Sequence, residues 1–380
     1  MQLNSKKVLM CLVGVSPILS QYTVGIYTIT LFELLLLVVC IIVFLFSRSR
    51  NESARIQIKE FLLTIPKLFF PFYIILVASY FLFKGSSFEE FCRTLRVAYY
   101  YLFCVFITKN QSIGMLRYAT YGAMFVSIFL IIQYILFKSI GYFLPGYINL
   151  LPVAREEVMA FTDVVNRYSE SKDVPYWVRF RSVLGEPSKI GLYVGLVYYC
   201  LAAAGQRLMS FKMVLLLCGL ILSFSGVAFV MLLYTGFYIL FIEKNLKTKI
   251  LYLVCSTPLV IFLLYKFPII LDLQKRIIVR LNAYLVDQNI SFFGVGYSKD
   301  LLVSWAPSLW RVFNAFGLLG LSMLLIYFLS KMKFIKKNIY SLILIFLIGF
   351  ACEVLLSYWI IIWYALLFKN EKEMVICKYT

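Results

Sequence analysis

Apolar residues run along this chain in long uninterrupted stretches, without the alternation of a strand or the one-sided stripe of a soluble amphipathic helix. A membrane-spanning helix needs about 20 mostly apolar residues, and roughly 17 suffice where the bilayer thins or flanking side chains snorkel. On that criterion twelve helical spans are predicted, near 8–24, 26–46, 61–83, 93–107, 117–137, 188–205, 212–224, 226–242, 250–265, 310–330, 338–351 and 353–368. The first is interrupted at Ser16-Pro17 and is compatible with a re-entrant segment. The seventh and eighth share one apolar run broken only at Ser223-Phe224-Ser225-Gly226; read as one helix, that run would reverse the side of every later loop.

The distribution of basic residues tests this division. With both termini inside, the inner segments hold Lys6, Lys7, Arg48, Arg50, Arg55, Lys59, Lys109, Arg117, Arg207 and Lys212 in the first half. They hold Lys244, Lys247, Lys249, Lys331, Lys333, Lys336, Lys337, Lys369, Lys372 and Lys378 in the second. The short outer loops hold only Lys84, Arg93 and Arg96, as the positive-inside bias of short loops requires. Merging the run at 223–226 would put the clusters at 244–249 and 331–337 outside, so the break is supported too.

Composition agrees with an all-α polytopic membrane protein of one domain, 1–380. The 380 residues are 62% hydrophobic and 14% charged, against roughly 45–50% and about 25% in soluble domains. Continuous apolar runs of helical length exclude a transmembrane β-barrel. No histidine is present and the 9 cysteines form no CxxC pair, which argues against a structural zinc site or a Cys/His nucleophile. The net charge of +19 is largely absorbed by the inner segments, so it does not indicate nucleic acid. No small-x-small cleavage site follows the first hydrophobic stretch.

Two outer loops are long, about 138–189 and 266–311, and long soluble loops are where function concentrates. The first closes on Arg179-Phe180-Arg181-Ser182-Val183-Leu184-Gly185-Glu186-Pro187-Ser188-Lys189. Pro187 suits the first helical position, so a helix is predicted to begin there with its positive dipole end at the outer surface, an anion site beside two arginines and Lys189. The guanidinium fork of Arg179 or Arg181 fits phosphate oxygens better than an ammonium does. Glu186, the one carboxylate of the cluster, could serve as general base for an attacking hydroxyl; the alternative is that it pairs with Arg181 or caps the helix.

The second loop contains Lys275-Arg276-Ile277-Ile278-Val279-Arg280, then Phe292-Phe293-Gly294-Val295-Gly296, then Trp305 to Arg311. Arg276 and Arg280 would share one face of a short surface helix. Gly294 and Gly296 would permit a tight loop whose amides point at a ligand. The alternative for these arginines is snorkelling beside aromatics. Glu33, Lys67 and Glu353 fall within or at the edge of spans and read as helix contacts, since three scattered charges make no proton relay. Arg93 and Arg96 could touch a headgroup or simply stabilise topology.

Arginines in two outer loops with one carboxylate and no metal motif suggest a phosphate-bearing lipid whose leaving-group charge is met by arginines and a helix dipole. The Gly185-Glu186-Pro187-Ser188 turn after an arginine pair, the break Leu222-Ser223-Phe224-Ser225-Gly226, the Gly294-Val295-Gly296 turn and Asn314-x-x-Gly317-x-x-Gly320 resemble the Wzy-type O-antigen or capsular polysaccharide polymerases, which also share the layout of spans and loops. The resemblance implies a metal-independent glycosyltransferase of the bacterial inner membrane, without a cofactor. Such an enzyme joins undecaprenyl-diphosphate-linked oligosaccharide repeat units at the outer face. It implies that Arg181 and Glu186 act at the reacting centre, and that Arg179, Lys189, Arg276, Arg280, Arg311 and Asn314 bind substrate. The expected partners are the lipid-linked oligosaccharide and the bilayer, with a chain-length regulator protein as a candidate. The related O-antigen ligases usually carry an outer-loop histidine; here that stretch reads Ser304 to Asn314 with none, which favours polymerase. The sequence departs from an arginine-x10-glycine loop pattern, since Arg280 lies 14 residues before Gly294. A flippase for the same lipid would instead need cations in a central cavity. A single-sugar transferase would need an acidic pair in the first outer loop, for which Glu89-Glu90 is available.

Overall fold

In a computed structural model, the described residues are 5–24, 29–47, 54–85, 87–110, 114–147, 180–241, 292–296, 308–330 and 336–368, with isolated positions between 246 and 254. They are mostly helical: α1 Ser5–Gly14, α2 Ser16–Leu19, α3 Leu31–Ser47, α4 Ala54–Phe83, α5 Phe88–Asn110, α6 Met115–Ile140, α7 Pro187–Ala203, α8 Phe211–Leu222, α9 Gly226–Phe241, α10 Ser308–Leu329, α11 Lys336–Ala351 and α12 Trp359–Leu367. Each predicted span holds a helix except the ninth, 250–265, which lies outside the described residues apart from isolated positions. By length and composition two helices, α6 and α10, are able to cross a membrane, and α3, α4, α8, α9 and α11 contain shorter apolar stretches.

The helices α4 and α5 begin ahead of their apolar spans, at Ala54 and Phe88, and three other boundaries differ from expectation for local reasons. The first span stops at Leu19, where the chain turns into a hairpin pairing Thr23-Val24 with Ile29-Thr30. The second therefore begins at Leu31, behind a capping box: Glu33 N–H donates to Thr30 Oγ1 at 3.3 Å and Thr30 N–H donates to Glu33 Oε2 at 2.8 Å. Glu33 is thus a helix contact, buried but fully used. The last span is helical only from Trp359, with residues 352–358 irregular.

The fold divides into two compact units interleaved in sequence. The first comprises residues 1–52, 109–236 and 365–380. At its centre α6 packs against α1, α7 and α8. Tyr193 of α7 donates to the Gly14 carbonyl at 2.6 Å, with the Ala119 carbonyl 3.1 Å away, so one buried hydroxyl joins three helices. The opposite face of α6 presents Tyr121, Phe125, Ile128, Ile132 and Ile135, spaced by three and four and each 42–55% exposed. An apolar stripe of that length needs a non-aqueous neighbour.

The second unit comprises residues 53–108 and 237–364. There α10 packs on α4 and α11 around a core of Phe70, Tyr101, Phe316, Tyr327 and Phe328, whose rings meet mainly edge to face. Gly317 breaks α10 with a backbone of φ 67° and ψ −170°, and the segment 292–296 fills the break. Val295 N–H donates to the Asn314 carbonyl at 2.9 Å, Gly296 N–H to Ala315 at 3.0 Å, and Leu319 N–H to Phe292 at 3.1 Å. The Tyr73 hydroxyl of α4 lies 2.9 Å from both the Phe293 and Phe316 carbonyls. Groups freed by the broken helix are thereby satisfied by protein. Gly294 and Gly317 face each other so closely that a Cβ on Gly294 would lie 2.5 Å from the Gly317 nitrogen, and both have positive φ.

Candidate functional site

The first unit carries the Arg181–Lys189 turn. Arg181 leads into the 3-10 turn Ser182–Leu184, Gly185 reverses the chain at φ 73°, and Glu186 occupies the N-cap of α7 in extended conformation. Pro187 is the first residue of α7, as its missing N–H and fixed φ favour. Glu186 does not cap through its side chain; its exposed carboxylate accepts the Ser188 hydroxyl at 3.0 Å. Its carboxylate is thus exposed at the helix start, as a base that meets a substrate hydroxyl must be. Arg181 is half-buried, and its Nη1 is enclosed with no hydrogen-bond partner among the described residues. An enclosed guanidinium nitrogen without an acceptor is a costly arrangement that an anion would relieve.

A second helix start lies beside the first. A Cβ on Gly191 would lie 2.5 Å from the Ala228 nitrogen, and one on Gly195 would lie 2.7 Å from Met231 Cβ. Increasing numbers on α7 meet increasing numbers on α9, so the two helices run parallel with their N-terminal turns side by side. The α9 start is capped by Ser225, whose Oγ accepts the Val227 N–H at 3.3 Å. Among the described residues nothing lies within 4 Å of where a Gly226 side chain would begin, so this start is open. Each helix N-terminus is equivalent to about +0.5 charge, so two together approach the field of a monovalent cation. The break at 223–226 is thus more than a boundary between spans: it supplies the second dipole.

The base of the turn is fixed by contacts that sequence reasoning did not single out. Gln133 of α6 donates through Nε2 to the Leu144 carbonyl at 2.7 Å and accepts the Ser182 N–H on Oε1 at 2.9 Å. The Ser182 hydroxyl donates to the Val126 carbonyl at 2.7 Å. Rings of Tyr134, Phe137, Phe143 and Phe180 close around it. The signal in the sequence was a lone carboxamide inside an apolar helix.

In the second unit Arg311 and Asn314 lie one turn apart on α10, just before its break. Arg311 Nη1 pairs with Glu353, so Glu353 is a helix contact as expected. Arg311 Nε and Asn314 Oδ1 are enclosed without partners among the described residues. Ser308 at the start of α10 donates its N–H to Cys352 and its hydroxyl to Gly349, which places Glu353 against the same turn. Gly294-Val295-Gly296 departs from expectation: the amides of Val295 and Gly296 are spent on carbonyls of α10 and do not point at a ligand. Backbone groups released by a broken helix and buried in protein need partners more than a ligand loop needs donors.

Of the other predicted site residues, Lys189 lies in the first turn of α7, while Arg179, Arg276 and Arg280 lie outside the described residues. Glu89 is engaged by Arg93 at 2.7 Å on an exposed face of α5. Among the described residues no group of three or more His, Cys, Asp or Glu is placed to hold a metal ion. No protein-family profile, curated protein or solved structure matches the chain.

Proposed function

We propose that this chain is a polytopic glycosyltransferase of the bacterial inner membrane with about twelve spans, both termini cytoplasmic, and its long loops outside. Its reaction is polymerisation of undecaprenyl-diphosphate-linked oligosaccharide repeat units for O-antigen or capsule, in the manner of the Wzy-type polymerases it resembles. The observation that carries this reading is the pair of parallel helix starts at Pro187 and Gly226 in the unit that also holds the enclosed, unpaired guanidinium nitrogen of Arg181. Two dipoles and an arginine suit a diphosphate leaving group that has no metal to neutralise it. The exposed apolar stripe of α6 and the one-sided distribution of lysine and arginine support the membrane setting.

In the reaction, an acceptor-sugar hydroxyl attacks the anomeric carbon of the chain-bearing lipid. The bond from that carbon to the phosphate oxygen breaks, and lipid diphosphate departs with the electron pair, held by Arg181 and the helix starts. Glu186 takes the hydroxyl proton. The test is deletion of the gene in its host, with the surface polysaccharide resolved on a gel. Loss of the ladder with a single repeat unit still on its lipid anchor supports polymerisation. Loss of every unit points to export or ligation, and an unchanged ladder refutes the reading.

A further inference from the structure

The Arg181 turn hangs from one carboxamide. Gln133 is 3% exposed, and its two polar ends hold two points far apart in the chain: Leu144, just after α6, and Ser182, just before α7. A primary amide suits this because donor and acceptor sit on one planar group.

Ser182 sharpens the case. It is fully buried, yet it holds φ 52°, a left-handed conformation that side-chain-bearing residues rarely keep. Such a conformation persists where the surroundings over-determine it, and here they do. The N–H is bound by Gln133, the hydroxyl by Val126, and the carbonyl lies so close to Gly146 that no Cβ could be placed there. Arg181 is the residue immediately before this pinned one, so the backbone from which its side chain extends is held in place.

We propose that Gln133 is a positioning residue, the clasp that closes the base of the first long loop and sets the Arg181 guanidinium on its anionic ligand. The inference rests on the reading of Arg181 as an anion ligand given above. A side chain that merely contributed to stability would change the unfolding midpoint and leave ligand affinity alone. A clasp acts on affinity through Arg181, so its loss and the loss of Arg181 overlap.

The full chain purified in detergent, with inorganic pyrophosphate as probe, allows both ideas to be examined separately. Calorimetric affinity and hydrogen exchange over residues 182–184 are measured for the wild type, Gln133→Met, Gln133→Asn, Arg181→Ala and the double variant Gln133→Met/Arg181→Ala. Gln133→Met keeps the length of the side chain and loses both hydrogen bonds; it is expected to weaken pyrophosphate about tenfold. The double variant is expected to be no more than about twofold weaker than Arg181→Ala alone. Exchange at 182–184 is expected to be at least about tenfold faster without the amide partner. Gln133→Asn keeps the amide but is one methylene too short to hold Leu144 and Ser182 together, so it decides the matter if Gln133→Met does not fold; its affinity is expected to fall in the same direction, and wild-type affinity there would likewise overturn the clasp. Wild-type affinity in a folded Gln133→Met protein, additive losses in the double variant, or unchanged exchange would each overturn the clasp. A wild type that does not bind pyrophosphate, or an Arg181→Ala variant that binds equally well, overturns the anion reading and with it the positioning role. The exchange measurement, which needs no ligand, tells that failure from failure of the clasp alone.

Discussion

Replacing Gly191 by alanine tests the paired helix starts directly. A Cβ at this position meets the Ala228 nitrogen at 2.5 Å and the Ala228 Cα and Val227 carbonyl carbon at 3.0 Å, all of them backbone that cannot rotate away. Reaching ordinary contact at 3.4 Å requires α7 and α9 to separate by about 0.9 Å at their N-terminal turns. Overpacking of this kind costs about 1–3 kcal/mol, while exchanging glycine for alanine inside a helix returns about 1 kcal/mol. The net is a loss of up to about 2 kcal/mol, with the dipoles moved apart where they are meant to act together. Gly226→Ala is the matched control, because nothing among the described residues lies within 4 Å of the added methyl. Gly191→Ala is expected to lower the thermal midpoint in detergent and shorten the polysaccharide ladder, whereas Gly226→Ala is expected to leave the midpoint unchanged or raise it. A Gly191→Ala protein with wild-type midpoint and ladder would refute the close parallel packing on which the site is built.

Arg181→Ala is expected to abolish polymer and Arg181→Lys to retain little, since an ammonium cannot replace a bidentate fork; normal chain length in a well-expressed Arg181→Ala strain would remove that role. Glu186→Gln, at an exposed N-cap that makes no side-chain cap, is expected to keep the protein at wild-type level in the membrane while losing the ladder, read by immunoblot and gel together. Tyr73→Phe removes a hydroxyl shared by two carbonyls and is expected to cost about 1–2 kcal/mol, seen as a lower thermal midpoint. Gly317→Ala forces a Cβ into the Phe292 carbonyl at positive φ and is expected to reduce the yield of folded protein much further, by size-exclusion profile. Glu353→Gln leaves Arg311 without its carboxylate; because Glu353 is itself 48% exposed, the expected loss is about 1 kcal/mol, recovered in part by Arg311→Met in the same protein.

Helix positions are legible in the chain alone, because apolar runs and punctuation such as Pro187 and Ser223–Gly226 act within a window of one span. The Thr30-x-x-Glu33 capping box that starts α3 is equally local, although the apolar run itself extends further toward the N-terminus. The residue types of the candidate site were legible for the same reason: arginine, glutamate and a helix-starting proline stand together in one short stretch. The remaining features depend on partners distant in the chain. Gly191 against Ala228 makes two helix starts one feature, Gln133 reaches Ser182 across 49 residues, and Tyr73 closes the Gly294–Gly317 junction from 220 or more residues away. The glycines of that junction looked from sequence like a ligand loop, and the structure uses their neighbours' amides to mend a broken helix. Periodicity reports which residues are apolar and how far they extend. Which backbone group satisfies which depends on how the helices pack, and packing is settled by close approach between segments that no local pattern records.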